Sequence, residues 1–150
     1  MFRGTYDHSV DDKGRVSVPA RFREILQSLD DNRVVITNFR IGTEPCLDVY
    51  PYKAWRELED RLREKPQFDL KFLRFQNYYI APAQDCELDR QGRILLPPIL
   101  RDYAQLKREV RFTSALDKFR MWNPELWTIV FADVERRLVE HPEDLSELGI

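Results

Sequence analysis

The chain has 150 residues, of which 43% are hydrophobic and 33% are charged, and its formal net charge is −2. This length and composition predict one compact domain, or two small halves with a shared core, and they exclude wholesale disorder. The negative balance excludes a uniformly basic nucleic-acid-binding protein, so any affinity for phosphate has to come from a local cluster of cations.

Targeting and cofactor signals are missing from the sequence. Its apolar runs are too short to span a bilayer, and the N-terminus has no signal-peptide pattern. Cys46 and Cys86 are far apart in sequence and do not have a metal-ligand spacing. We therefore expect a cytoplasmic protein that uses no membrane, metal, cofactor or small-molecule substrate.

One pattern occurs twice in the chain. The segment Asp11–Glu24 returns as Asp89–Asp102 at a constant offset of 78 residues (89 minus 11). An aspartate, a glycine, two arginines and a proline are identical in both copies, and three further positions keep an apolar residue. A match of this kind without a gap predicts an internal duplication.

Each copy begins with a strand, a glycine turn and a second strand. Gly14 and Gly92 lie between β-forming residues, and glycine supplies the positive φ that a tight hairpin turn needs. The alternation of Val16–Val18 predicts a strand. Pro19 and Pro97 end this strand and suit the first turn of a following helix.

Helices and two further strands complete each copy. Apolar spacing predicts helices over 21–29, 53–64 and 99–106, and an aromatic connector lies between Pro66 and Pro82. The acidic residues after Leu138 predict a peripheral, frayed tail.

The duplication predicts how the fold is organised. A half-unit of about 50 residues buries too little apolar surface to be stable alone. We therefore predict a β-rich α+β fold in which two half-units pack about a pseudo-two-fold axis, with peripheral helices. The predicted boundaries are 5–53 for the first half-unit, 54–82 for the connector, 83–126 for the second half-unit, and 127–150 for the C-terminal helix and acidic tail.

Three features are carried by this chain together: the opening Met1–Gly4, the Asp-x-Lys-Gly-Arg turn and the doubled Asp-x-x-x-Arg motif. On these features the chain, from Met1 to about Leu138, resembles the MraZ family of bacterial transcriptional regulators. The resemblance implies two tandem swapped-hairpin half-barrels of the AbrB type and a nucleoid-associated, ring-like homo-oligomer. It further implies sequence-specific binding to direct repeats in the promoter of a division and cell-wall gene cluster that includes its own gene. Repression and activation stay equally open.

The resemblance also implies which residues bind DNA. In the family the Asp-x-x-x-Arg motif carries the contact, which here gives Asp11 with Arg15 and Asp89 with Arg93. An arginine can pair with guanine or brace a phosphate. The predicted DNA-binding residues are Arg15, Arg93, Lys13, Arg3 and Arg23. The predicted positioning and turn residues are Asp11, Asp89, Gly14 and Gly92.

Two differences between the copies affect this prediction. Lys13 is replaced by Gln91, and Ser17 by Leu95. We interpret the second motif as less basic, and expect it either to contribute less affinity or to serve mainly as structure.

Other functions fit the sequence less well. Each Asp–Arg pair is alternatively an ion pair that only stabilises its turn. An enzyme is not expected, because no phosphate loop, catalytic triad or metal-ligand spacing is visible. An antitoxin-like or structural interaction module of the same fold is the remaining alternative.

Overall fold

Eight strands and six α-helices make up the computed structural model, which describes residues 1–150. The first half of the chain contains β1 (Thr5–Ser9), β2 (Arg15–Ser17), α1 (Ala20–Ser28), β3 (Arg33–Ile41), β4 (Glu44–Pro51) and α2 (Tyr52–Arg63). The connector forms α3 (Leu70–Phe75) and a π-helical turn (Gln76–Ile80). The second half contains β5 (Gln84–Glu87), β6 (Arg93–Leu95), α4 (Pro98–Tyr103), β7 (Glu109–Ala115), β8 (Lys118–Trp122), α5 (Pro124–Glu140) and α6 (Glu143–Glu147).

Six strands form one antiparallel sheet in the order β1-β7-β8-β4-β3-β5. The order is symmetric when the two halves are exchanged, with β8 and β4 at the centre. The first strand of each half pairs with the third strand of the other half, as β1 with β7 and β5 with β3. Neither half therefore completes its own part of the sheet.

The strands β2 and β6 form a separate antiparallel pair, which we call the ribbon. Val16 lies opposite Ile94 at its centre, and both side chains are buried. The prolines that follow β2 and β6, Pro19 and Pro97, immediately precede α1 and α4 as predicted. The buried side chains of Val16 and Ile94 thus join the ribbon to the core.

The main core is shared by both halves. Nineteen buried residues form one cluster that includes side chains of the sheet, the ribbon, α1 and α4. Phe22 of α1 has its ring centroid 5.2 Å from that of Phe2 and 4.9 Å from that of Phe119 in β8. The expectation of a core common to both halves is confirmed.

One buried carboxylate connects the centre of the sheet with the connector. Asp48 of β4 is 1% exposed and accepts a hydrogen bond of 2.7 Å from Nε of Arg120, its cross-strand partner in β8. The Tyr79 hydroxyl of the π-helical turn donates to the other carboxylate oxygen. This polar cluster holds the connector against the central strands.

Several local predictions were confirmed and others were wrong. The helices predicted at 21–29 and 53–64 are α1 and α2, and the broad α+β class is correct. The third predicted helix ends earlier, at Tyr103, because Gln105 has a left-handed backbone (φ 55°). The tail is not frayed: α5 continues to Glu140 and α6 follows it.

The tight turn predicted between the first two strands is present, and an antiparallel bridge between Val10 and Val16 closes it. The two strands do not pair beyond this bridge, because β1 pairs with β7 and β2 with β6 of the other half. The AbrB-type classification and the domain boundaries stay predictions. None of the helices is long and apolar enough to cross a membrane.

Candidate nucleic-acid interface

The turn that precedes β2 is organised by one carboxylate. Oδ1 of Asp11 accepts hydrogen bonds of 2.9 Å from the backbone N–H groups of Lys13 and Arg15. Oδ2 accepts a 2.8 Å bond from Nε of Arg15. The backbone N–H of Gly14 donates to the Asp11 carbonyl at 3.0 Å, and Gly14 has φ +83°. The aspartate carboxylate therefore satisfies backbone donors of the turn, and the glycine supplies the positive φ that the turn requires.

The turn that precedes β6 repeats the same geometry. Oδ1 of Asp89 accepts from the backbone of Gln91 at 2.8 Å and of Arg93 at 2.9 Å, and Oδ2 accepts from Nε of Arg93 at 2.9 Å. Gly92 has φ +75°. The duplicated sequence motif therefore folds into two equivalent structures, which we call the first turn and the second turn.

Each arginine is held in place and keeps donors free. Among the guanidinium nitrogens of Arg15, only Nε binds Asp11, and Nη1 and Nη2 make no hydrogen bond within the protein. These two groups are the donors that a guanidinium uses in a bidentate contact. The guanidinium group of Arg15 is therefore held in one orientation, while its two Nη groups are free to bind a ligand.

Both carboxylates of the turns are ionised at neutral pH. Hydrogen bonds from the protein backbone, first of all the N–H of Arg15, hold the pKa of Asp11 below its usual value. The pKa of Asp89 is lowered in the same way, first of all by the N–H of Arg93. The two Asp–Arg pairs thus persist across the neutral range.

The ribbon brings both motifs to one surface. Arg15 pairs with Leu95 and Ser17 pairs with Arg93, so these four side chains share the outward face, which we call the ribbon face. The side chains of Arg15 and Arg93 are 31% and 26% exposed. Nη1 of Arg93 also lies 3.9 Å from Oδ2 of Asp11, so the first carboxylate faces both guanidinium groups.

The other predicted contact residues lie in different surroundings. Lys13 is exposed beside the ribbon face and forms no ion pair. Arg3 is exposed but precedes β1, whereas the first turn follows β1, so the whole strand separates the two. The ribbon therefore gathers Arg15, Arg93 and Lys13 and leaves Arg3 apart.

Arg23 has a packing position. A Cβ atom on Gly92 would lie 2.3 Å from Cδ of Arg23, because the arginine side chain covers this glycine. Nε of Arg23 is buried without a hydrogen-bond partner. The Arg23 side chain therefore packs against the second turn and is not a freely exposed cation. Gly14 is less covered, with Arg101 and Leu95 atoms 3.7 Å from the equivalent Cβ position.

One cation of this surface was missed by the sequence reasoning. Arg90 is exposed, forms no ion pair, and occupies the position equivalent to Asp12 in the first turn. The five residues of the first turn contain two aspartates, one lysine and one arginine, for a formal charge of 0. Those of the second turn contain one aspartate and two arginines, for +1. The interpretation of the second motif as less basic was therefore wrong.

The signal for Arg90 was present in the repeat itself. The offset of 78 (90 minus 12) pairs it with Asp12, and comparing every position of the two turns would have identified it. The replacement of Lys13 by Gln91 is thus offset by the replacement of Asp12 by Arg90. No group of three or more His, Cys, Asp or Glu side chains is arranged to hold a metal ion.

Comparison with known proteins agrees with the motif. A family model described as "MraZ protein, putative antitoxin-like" matches residues 1–76 and 79–147. The transcriptional regulator MraZ of Desulfitobacterium hafniense (strain DSM 10664 / DCB-2) is 39% identical over 150 residues, which is 100% of both chains. The protein of that name from Moorella thermoacetica is 43% identical over 127 residues, covering 85% of this chain and 84% of its own. That from Thioalkalivibrio sulfidiphilus is 42% identical over 127 residues, covering 85% and 83%.

Proposed function

Because the chain belongs to the MraZ family, we propose that it is a transcriptional regulator that binds double-stranded DNA sequence-specifically through the ribbon face. The relatives carry the name of a regulator, which is not an enzyme class. The observation that carries the proposal is the presence of two equivalent Asp–Arg turns on one partly exposed two-stranded surface.

The shape and chemistry of the ribbon suit a DNA groove. The major groove of B-DNA admits a two-stranded β-ribbon, and a bidentate arginine is the commonest specific contact to guanine. Arg15 and Arg93 are pre-oriented by their aspartates, so less side-chain entropy is lost when they bind. Lys13 and Arg90, which have no ion-pair partner, are suited to the flanking phosphates.

Assembly compensates for the low charge of a single protomer. A net charge of −2 gives one chain little general attraction to DNA. A ring-like homo-oligomer that touches several direct repeats gains affinity through effective concentration. We place these repeats in the promoter of a division and cell-wall gene cluster that includes the protein's own gene. The fold of each protomer is then the AbrB-type swapped-hairpin arrangement, and the protein is cytoplasmic and nucleoid-associated.

The experiment that tests this function compares two duplexes. One carries the direct repeats of the promoter upstream of the gene, and the other has the same bases scrambled. Wild type should prefer the repeat duplex, and Arg15→Ala should lose the preference while keeping its melting temperature and its oligomer mass. Arg63→Ala is the matched control, because Arg63 is an exposed arginine paired with Asp60 on α2. Equal affinity of the wild type for both duplexes would contradict the proposal.

An antitoxin-like module is the second candidate, and the description of the matching family favours it. An antitoxin neutralises a toxic protein, so expression of a neighbouring gene alone should arrest growth. In that case both the wild type and Arg15→Ala should relieve the arrest. If relief of the growth arrest depended on Arg15, or if no arrest occurred, DNA binding would be the better account of the function.

A further inference from the structure

The ribbon face is symmetric except at one pair of positions. The offset of 78 relates Arg15 to Arg93, and it relates Ser17 to Leu95 (95 minus 17). The cations are therefore repeated by the internal symmetry, whereas the residues beside them are not. One end of the face carries a hydroxyl group and the other carries an isobutyl group.

Leu95 is an apolar side chain held on a cationic surface. It is 60% exposed, although its neighbours Ile94 and Leu96 are buried, because alternate residues of β6 face opposite sides. It lies opposite Arg15 in the ribbon. Its Cδ1 atom is 3.7 Å from the place where a Cβ on Gly14 would lie, so the side chain is next to the first turn.

The chemistry of the major groove offers one partner for such a group. Single exposed apolar residues are common on protein surfaces and need no explanation by themselves. Leu95, however, is on the face that carries both motif arginines. The base edges in the major groove present hydrogen-bond donors and acceptors, and the C5-methyl group of thymine is their apolar feature.

We propose that Leu95 is a specificity-determining residue that packs against the C5-methyl group of a thymine beside the base contacted by Arg15. Ser17 meets a polar base edge at the equivalent position near Arg93. The two ends of the ribbon then read different bases, which gives each binding site a direction. This inference rests on the proposed DNA-binding function and adds the base class that the first turn recognises.

The test removes only the methyl group. The wild-type protein first selects its preferred duplex from a random-sequence pool, and each thymine of that duplex is then replaced in turn by uracil. One position per repeat should show about fourfold weaker binding, the effect of leaving one methyl-sized group without its apolar contact. Leu95→Ala should bind the thymine and uracil duplexes equally, and Leu95→Met should keep the difference. Leu70→Ala is the matched control, since Leu70 of α3 is 59% exposed.

The outcomes separate this inference from the function on which it rests. Selection of a duplex by the wild type without any uracil-sensitive position would overturn the role of Leu95 and leave DNA binding intact. The same result follows if Leu95→Ala keeps the full sensitivity to uracil. Failure of the wild type to select any duplex would overturn the proposed function and this inference together.

Discussion

Removing the four cations of the ribbon and its two turns one at a time should separate base recognition from phosphate attraction. Lys13→Ala and Arg90→Ala each delete an exposed cation with no ion pair. A phosphate contact contributes about 0.9 to the slope of log K against log salt concentration, so each of these two variants should lower the slope by about that amount. Their affinity should fall equally for the repeat duplex and the scrambled duplex.

The two motif arginines should behave differently. Arg15→Ala and Arg93→Ala should lose preference for the repeat duplex by roughly 5- to 150-fold, the value of one bidentate base contact. Each variant should also lose affinity for a second reason, because Asp11, 2.8 Å from Nε of Arg15, or Asp89, 2.9 Å from Nε of Arg93, would then face DNA without its partner. In Arg15→Ala the remaining cation near Asp11 is Nη1 of Arg93, which is 3.9 Å from Oδ2. Arg15→Ala should therefore also bind the scrambled duplex more weakly.

A double variant isolates the repulsion between the unpaired Asp11 carboxylate and the DNA phosphates. Arg15→Ala combined with Asp11→Asn removes the unpaired charge, so affinity for the scrambled duplex should recover while the preference for repeats stays lost. The assay is fluorescence anisotropy of labelled duplexes across a salt series, with Arg63→Ala as the control. If Arg15→Ala weakened binding to both duplexes equally and changed only the salt slope, Arg15 would be a phosphate contact and the reasoning would be refuted.

Three further predictions concern stability. Gly14→Ala should lower the free energy of unfolding by about 1–2 kcal/mol, because the backbone there is left-handed. Gly92→Ala should lower it further, because the new Cβ would lie 2.3 Å from an arginine carbon. Chemical denaturation measures both free energies. Arg120→Ala should cost about 3–5 kcal/mol by leaving the buried Asp48 without its cation, whereas Arg120→Met with Asp48→Leu should be much closer to wild type in thermal melts. Burial lowers the pKa of His8 below 6.5, so protonation favours the unfolded chain; stability should fall as the pH drops below about 6.5, and less so in His8→Gln.

Each of these outcomes can fail independently. Equal destabilisation by the two glycine variants would show that the second turn is not packed more tightly than the first. A melting temperature unchanged by Arg120→Ala would show that Asp48 is not dependent on this ion pair. An identical acid response of the wild type and His8→Gln would show that His8 titrates alike in the folded and unfolded chains.

Local features of the turns were readable from the sequence. The spacing of Asp11 and Arg15 across a glycine turn predicts their ion pair, and the 2.8 Å bond confirms it. The exact repeat of this spacing at Asp89 and Arg93 predicts a second copy, which is also present. The prolines after each ribbon strand likewise mark where α1 and α4 begin, since proline suits a helix start.

The pairing of strands across the halves could not be read in the same way. Alternating apolar residues show which face of a strand is buried, but they do not identify its neighbours. A strand next to a tight turn favours a hairpin, yet β1 pairs with β7 and β2 with β6. This pairing between strands of different halves is favoured because it buries Val16 against Ile94 and joins both halves in one core.

The accessibility of the arginines also required the fold. Arg23 and Arg101 are equivalent by the offset of 78 (101 minus 23), but their surroundings differ. Arg101 donates to the carbonyls of Leu106 and Lys107, at 3.0 and 2.8 Å, whereas Nε of Arg23 has no partner and its side chain covers a glycine. The sequence alone predicts the same exposure for both arginines.

Photo-crosslinking tests the ribbon face as the DNA contact most directly. The repeat duplex is made with 5-iodouracil in place of thymine, irradiated with the protein, and the linked peptides are identified by mass spectrometry. Cross-links within residues 11–17 and 89–95 are the expected result. Cross-links confined to α2, α5 or the connector, with none in the ribbon and its two turns, would contradict the account.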